Sequence, residues 1–228
     1  MLGPFRDYLK RSWLPSAVIA TSRARTPAYR AARIARKLGR PVTMEIYFAF
    51  DDPYAAIAVP ALRAMVQHKP VAVALYPIIG RGIPDDPAQA ARDVHALIDA
   101  KRLALRRGTA LRRSAPLDAD DSRFLACWTA AAGQTPQALA FAADALDELW
   151  RQSDGPIDRA PFERLYRTQL SGSPPAETAL QLTQLRDNER RLRSKGHWES
   201  PVVRVAGEWF FAHERLALIS RRLVELCA

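Results

Sequence analysis

Apolar side chains at Met44, Ile46, Phe48 and Phe50 alternate with Glu45, Tyr47 and Ala49, and a period of two in an aromatic and β-branched run predicts a strand over 44–50. It stops at Asp51-Asp52-Pro53. Residues 53–68 then place Ile57, Leu62, Met65 and Val66 at helical spacing among alanines, and Val71-Ala72-Val73-Ala74-Leu75-Tyr76 reads as a second, buried strand. The pattern predicts a β-α-β unit.

About a hundred residues with almost no strand signal follow. Asp86 and Pro87 suit a cap and first helical residue, after which Val94, Leu97, Ile98 and Leu105 keep helical spacing up to Gly108. Further helices are predicted over 120–132, 136–152, 160–169 and 174–194, with Thr135-Pro136 and Ser173-Pro174 repeating the cap-then-proline start. Val202-Val203-Arg204-Val205 and Glu208-Trp209-Phe210-Phe211, joined through Ala206-Gly207, read as a β-hairpin. An amphipathic helix over 214–226 closes the chain, and no internal repeat or low-complexity linker divides it.

Composition narrows the classes. The 228 residues are 48% hydrophobic and 25% charged, enough to bury a core without metal or disulfide. Cys127 and Cys227 form no CxxC or metal-spaced cluster. No apolar run approaches the ~18 residues of a membrane span. The net charge of +10 is uneven: residues 1–40 hold ten bases and only Asp7 among acids, so the rest of the chain is nearly neutral. A basic helical extension over 1–40 and a domain over 41–228 are therefore expected. Phe5, Leu9 and Trp13 recur every four residues, as do Ile34 and Leu38 in a second stretch opened by Pro27, which predicts two short basic amphipathic helices. They suit a solvated or partner-docked arm, or contact with an anionic surface; specific nucleic-acid recognition is not expected. Lys10 and Arg11 precede an apolar stretch from Trp13 to Ala20, but Pro15 and Ser16 interrupt it and Arg23 and Arg25 follow at once. That layout does not suit a secretory signal, and the cytoplasm is the expected compartment.

The element order, β-α-β, a helical block at about 85–195, then β-β-α, is that of an α/β thioredoxin fold with a large α-helical insertion. Several ordered stretches resemble one superfamily. The run Glu45 to Tyr54 is similar to the strand-to-helix junction of DsbA-like proteins, closest to 2-hydroxychromene-2-carboxylate isomerases and kappa-class glutathione transferases. Tyr76-Pro77-Ile78-Ile79-Gly80 resembles their second-strand exit, and residues 99–108 their helix ending in D-x-x-R…G. Gly196-His197-Trp198-Glu199-Ser200-Pro201-Val202-Val203, continuing through Gly207-Glu208-Trp209-Phe210-Phe211 to Glu214-Arg215-Leu216, is the most specific match.

The resemblance implies site residues. Where the family has serine, or cysteine in DsbA, this chain has Asp52, so dithiol exchange is not expected. A helix N-terminus stabilises a thiolate docked there, and a carboxylate in that place would repel it or be protonated. Asp52 is a candidate general base or polar anchor; Asp before Pro is also an ordinary helix start. Tyr54 closes the same run, and Arg81 stands near the position of the isomerases' lysine, making Asp52, Tyr54 and Arg81 the candidate catalytic set. The resemblance makes Ser200-Pro201 a cis-proline loop whose backbone meets the cysteinyl part of glutathione. It sets Glu214-Arg215 against the γ-glutamyl end, although an acid in a first helical turn beside a surface arginine needs no ligand. Trp128, Trp150 and Tyr166 either line a groove beside the helical block or pack the core.

Other motifs fail. Gly80-Arg81-Gly82-Ile83-Pro84-Asp85 ends in Asp where a dinucleotide fingerprint needs Gly, and His213-Glu214-Arg215-Leu216-Ala217 lacks the second histidine of a zinc protease helix. No metal site is expected. The resulting expectation is a glutathione-dependent isomerase-like or transferase-like enzyme acting on a small aromatic molecule, with a homodimer as a candidate assembly. The alternative is a catalytically silent relative that binds a ligand or partner through the same cleft.

Overall fold

The computed structural model of the chain describes residues 27–83 and 85–227. The stretch carrying Phe5, Leu9 and Trp13 and the interrupted apolar stretch at 13–20 lie outside them. Helix α1 (Pro27–Lys37) leads into β1 (Val42–Phe48), α2 (Ala55–Val66) and β2 (Val71–Pro77). Helices α3 (Gln89–Arg106), α4 (Ala119–Ala131), α5 (Pro136–Arg151), α6 (Ala160–Leu170) and α7 (Ala179–Ser194) follow, and β3 (Val202–Val205), β4 (Glu208–Phe211) and α8 (Ala212–Cys227) complete the chain. The sheet runs β2-β1-β3-β4. β1 lies parallel to β2, with Ile46 opposite Leu75, and antiparallel to β3, with Ile46 opposite Val203. Among the described residues from 85 to 195 there is no strand, so the insertion is wholly helical.

The expected elements form, and their limits move for identifiable reasons. β1 occupies 42–48 rather than 44–50: Ala49 and Phe50 are buried but have left the ladder, and the Ala49 N–H donates to Ser200 Oγ at 2.9 Å. α7 begins at Ala179, not at Pro174. Pro174 is followed by Pro175, and a residue before proline is pushed out of the helical region. A capping box five residues on starts the helix instead, with the Thr178 hydroxyl accepting from the Gln181 N–H and the Gln181 side chain accepting from the Thr178 N–H. Thr135 does cap α5 as expected, accepting from the Ala138 N–H at 3.0 Å.

In the β3–β4 hairpin Ala206 and Gly207 both have positive φ, 49° and 82°, the two-residue turn that matches strand twist. Gly207 has a second constraint, since a Cβ there would stand 2.9 Å from Ala28 Cβ of α1. α1 is thus packed on the body, and its Tyr29 joins the main core with the Arg222 guanidinium 5.0 Å from its ring centre.

That core fills the space between the sheet, α2 and the inserted helices. Trp150 is fully buried there and donates Nε1–H to the Phe50 carbonyl at 3.0 Å. Trp128 and Tyr166 stack edge-on within it, so the three aromatics pack the core and line no groove. On the sheet's other face Tyr47, Ala49, Ile78, Leu192 and Val202 form a smaller cluster under α7.

Candidate functional site

The turn between β1 and α2 carries two consecutive acids whose backbone leaves the sheet. Asp52 Oδ1 accepts from the Tyr54 N–H at 3.0 Å, an Asx turn that places Tyr54 ahead of the first helical residue, Ala55. Asp52 therefore stands two residues ahead of the N-cap position, Tyr54, and its carboxyl closes the turn rather than capping α2. It is fully enclosed, and its Oδ2 has no hydrogen-bond partner among the described residues. Burial raises its pKa to about 7, and the neighbouring Asp51 adds to the rise. Arg81, the Ser200 hydroxyl and the Tyr54 N–H oppose it only in part. The Ser200 influence is that of a nearby hydroxyl dipole, since no hydrogen bond of ordinary geometry joins it to Oδ2.

Arg81 is shared. Its Nε lies 3.3 Å from Asp51 Oδ2 and its Nη2 donates to Asp93 Oδ1, on α3, at 2.7 Å. The surrounding carboxylates outweigh its burial and hold the guanidinium charged. Asp51 too is raised by burial, against the pull of Arg81. One cation thus serves a turn with two aspartates and a third on the facing helix.

Above this turn lies a cleft of about 270 Å³ lined by Tyr54, Arg81, Arg92, Ser200, His213 and Glu214, with Gln89, His95, Ala96, Glu199 and Phe211 completing its wall. Ser200 precedes Pro201 through a cis peptide bond, as the resemblance implies, and Pro201 is buried. The Tyr54 hydroxyl donates to Asp99 Oδ2 of α3 at 2.9 Å, while its ring stacks on His213 of α8 at 3.9 Å between centres. Arg107 ties the two helices by donating to the His213 carbonyl at 3.1 Å. His213 is buried, its Nδ1 has no hydrogen-bond partner among the described residues, and burial lowers its pKa, keeping the imidazole neutral at pH 7.

Four of the residues singled out from the sequence, Tyr54, Arg81, Ser200 and Glu214, meet in this cleft, and Asp52 lies against three of them. Arg215 does not line it; its side chain is more than half exposed and its nearest acid is Glu214 at 3.8 Å. Sequence reasoning missed Asp51, Asp93, Asp99, Glu199 and His213 as site residues. A signal existed for some of them. Residues 92, 93, 95, 96 and 99 share one face of α3 at helical spacing, and His213 directly precedes Glu214.

With its cis-proline loop set beside the β1–α2 turn and its helices inserted after β2, the architecture is that of a DsbA-like thioredoxin-fold protein. No family model matches the chain, and no curated protein matches it. Solved structures do. A 2-hydroxychromene-2-carboxylate isomerase superposes with a TM-score of 0.59 at 17% identity, covering 81% of this chain and 96% of that one. A probable DsbA oxidoreductase from Streptomyces coelicolor gives 0.56 at 15% identity over 81% and 89% of the two chains. A putative protein disulfide isomerase from Nitrosomonas europaea gives 0.53 at 12% over 79% and 97%. Identities this low establish the shared fold.

Proposed function

We propose that the chain is an isomerase-like or transferase-like enzyme for a small molecule, in which Asp52 moves a proton through Ser200. The observation that carries this reading is the enclosed Asp52 carboxyl, with a free Oδ2, beside a hydroxyl that lines the cleft. Ser200 Oγ already accepts the Ala49 N–H, which leaves its own hydrogen to donate. Once the Ser200 hydroxyl turns onto Asp52 Oδ2, to which it is not bonded in the resting structure, a substrate proton taken up by Ser200 Oγ releases the serine hydrogen to Oδ2, and the reverse transfer returns a proton at another substrate atom. No electron is gained or lost, as isomerisation requires. A carboxyl titrating near pH 7 serves both directions, because each protonation state is populated at neutral pH.

The reading extends to glutathione as the bound partner, whose thiol would supply a nucleophile. The protonated Asp52 carboxyl is a hydrogen-bond donor rather than a repelling charge, which removes the conflict a carboxylate would pose. The Ser200–Pro201 backbone, Arg81 and Glu214 are the groups that would hold the tripeptide's polar ends. The structure of 2-hydroxychromene-2-carboxylate isomerase among the neighbours supports that substrate as the first to test.

The test is turnover of 2-hydroxychromene-2-carboxylate, with and without glutathione, by the wild type, Asp52→Asn and Ser200→Ala. Asn keeps the Asx turn, so folding should be intact while turnover falls about 100-fold or more in each variant. Unchanged turnover in both overturns the relay. Folded wild type that binds glutathione calorimetrically yet turns nothing over would be a silent binding protein instead.

A further inference from the structure

We propose that the outward face of α1 docks on an anionic lipid bilayer. α1 is held to the body by its inner face, where Tyr29 is buried and Ala32 half-buried against the main core. Positions 30, 33, 34, 37 and 38 fall within about 140° of arc at helical spacing, on the opposite side. Arg30, Arg33 and Lys37 are exposed there, with Arg40 just beyond, and among the described residues none of the four has an acidic partner. No acid occurs in the chain between Asp7 and Glu45, so nothing in this segment neutralises them.

The same face carries Ile34, 60% exposed, and Leu38, 72% exposed. Cations with aliphatic side chains between them are what a bilayer interface accommodates, since the headgroups take the charge and the boundary beneath takes the apolar groups. Nucleic-acid backbones use the charge alone, and two of the chain's most exposed aliphatics would then gain nothing. The arc is rigidly presented, because Gly207 closes against Ala28 and fixes the helix on the hairpin.

Cosedimentation of the full chain with phosphatidylcholine vesicles, with and without phosphatidylserine, tests the inference. Binding should require phosphatidylserine and weaken with salt. Replacing Arg30, Arg33 and Lys37 together by Gln should lower partitioning roughly 100-fold, about fivefold for each cation. Ile34→Ser with Leu38→Ser should lower it about tenfold while leaving duplex DNA binding unchanged. The variants touch no buried residue, and circular dichroism melting checks that each remains folded. Absence of binding to the anionic vesicles, or binding unaltered by the triple Gln variant, overturns the proposal. Equal binding to duplex DNA with no loss in the double Ser variant assigns the face to nucleic acid instead.

Discussion

Two carboxylates sit among arginines on this sheet, and they respond in opposite ways. Glu45, near the middle of β1, meets Lys195 Nζ at 2.6 and 2.7 Å, Arg191 Nη2 at 3.2 Å and Arg204 Nη1 at 3.6 Å. Burial would raise its pKa, but these three cations outweigh it and hold the carboxyl below its ordinary value. Asp52, just past the end of the same strand, has one arginine within influence, and that arginine is already engaged by Asp51 and Asp93. Burial wins there. The difference is the number of cations not spent elsewhere: three fix a charge for structure, while a share of one leaves a proton free to move. Perturbation by desolvation beside a cleft marks function more often than perturbation by pairing.

The contrast meets its most forceful test at Asp52. Because its folded pKa lies near 7 against about 4 in the unfolded chain, the folded state keeps a proton that the unfolded state has already lost. Stability therefore falls as pH rises from about 4 to about 7, and the full cost is present above that window. Asp52→Asn removes the titrating group and keeps the turn. The variant should gain on the wild type by up to about 4 kcal/mol on going from about pH 4 to about pH 8, at about 1.4 kcal/mol for each pH unit that separates the folded and unfolded pKa values. Urea midpoints of the two proteins across that range measure it; a gap independent of pH would show that Asp52 is ionised throughout.

Glu45→Ala probes the opposite member. It strands Lys195, Arg191 and Arg204 around an emptied, mostly buried position, and removing one member of such a cluster costs about 3 kcal/mol. Here the sign reverses. A carboxyl with a lowered pKa stabilises the fold above its ordinary value of 4.5, and that support is lost as pH falls through the folded pKa. The deficit of the alanine variant, read from urea midpoints, should shrink as pH is taken down through that region. A deficit unchanged down to acid unfolding would mean that packing, not charge, holds the cluster.

The sequence revealed the frame of this arrangement more readily than its site. Periods of two and 3.6 survive in β1 and α5 because their apolar positions pack on the core, whereas in α3 only Leu97 of the four spaced apolar residues is buried and Val94, Ile98 and Leu105 are exposed, so that helix was legible through a stripe that does not meet the core. The start of α7 was misplaced because a serine followed by proline looks like a cap, whereas the second proline forbids it and Thr178–Gln181 carries the usable signal. At the site, Asp52 and Ser200 were legible only through resemblance, since residues 148 positions apart share no local pattern. Helical spacing sets Asp93 and Asp99 on one face of α3, but not opposite Arg81 and Tyr54, because which face of α3 turns toward the cleft is decided by packing of the whole insertion. The chain's pattern leaves Asp52 two options, repulsion or protonation, and only its complete burial decides between them.

The mildest substitution discriminates best, because it tests redundancy itself. Arg191 reaches Glu45 at 3.2 Å, donates Nε–H to the Tyr47 hydroxyl at 3.2 Å and lies 4.9 Å from the centre of the Tyr76 ring. Its side chain is nearly half exposed, and Lys195 stands closer to the same carboxylate. If Glu45 is held by cations in excess, Arg191→Gln removes one of three, water replaces part of the lost attraction, and stability should fall by only about 0.5–1 kcal/mol. Lys195→Met alone should cost more, because it removes both short contacts, and the double variant should cost more than the two singles together once Arg204 is the only cation left. Urea midpoints of the four proteins close that cycle. Simple additivity would mean that the cations act independently, and the contrast with Asp52 would then rest on burial alone rather than on how many cations each carboxylate has to itself.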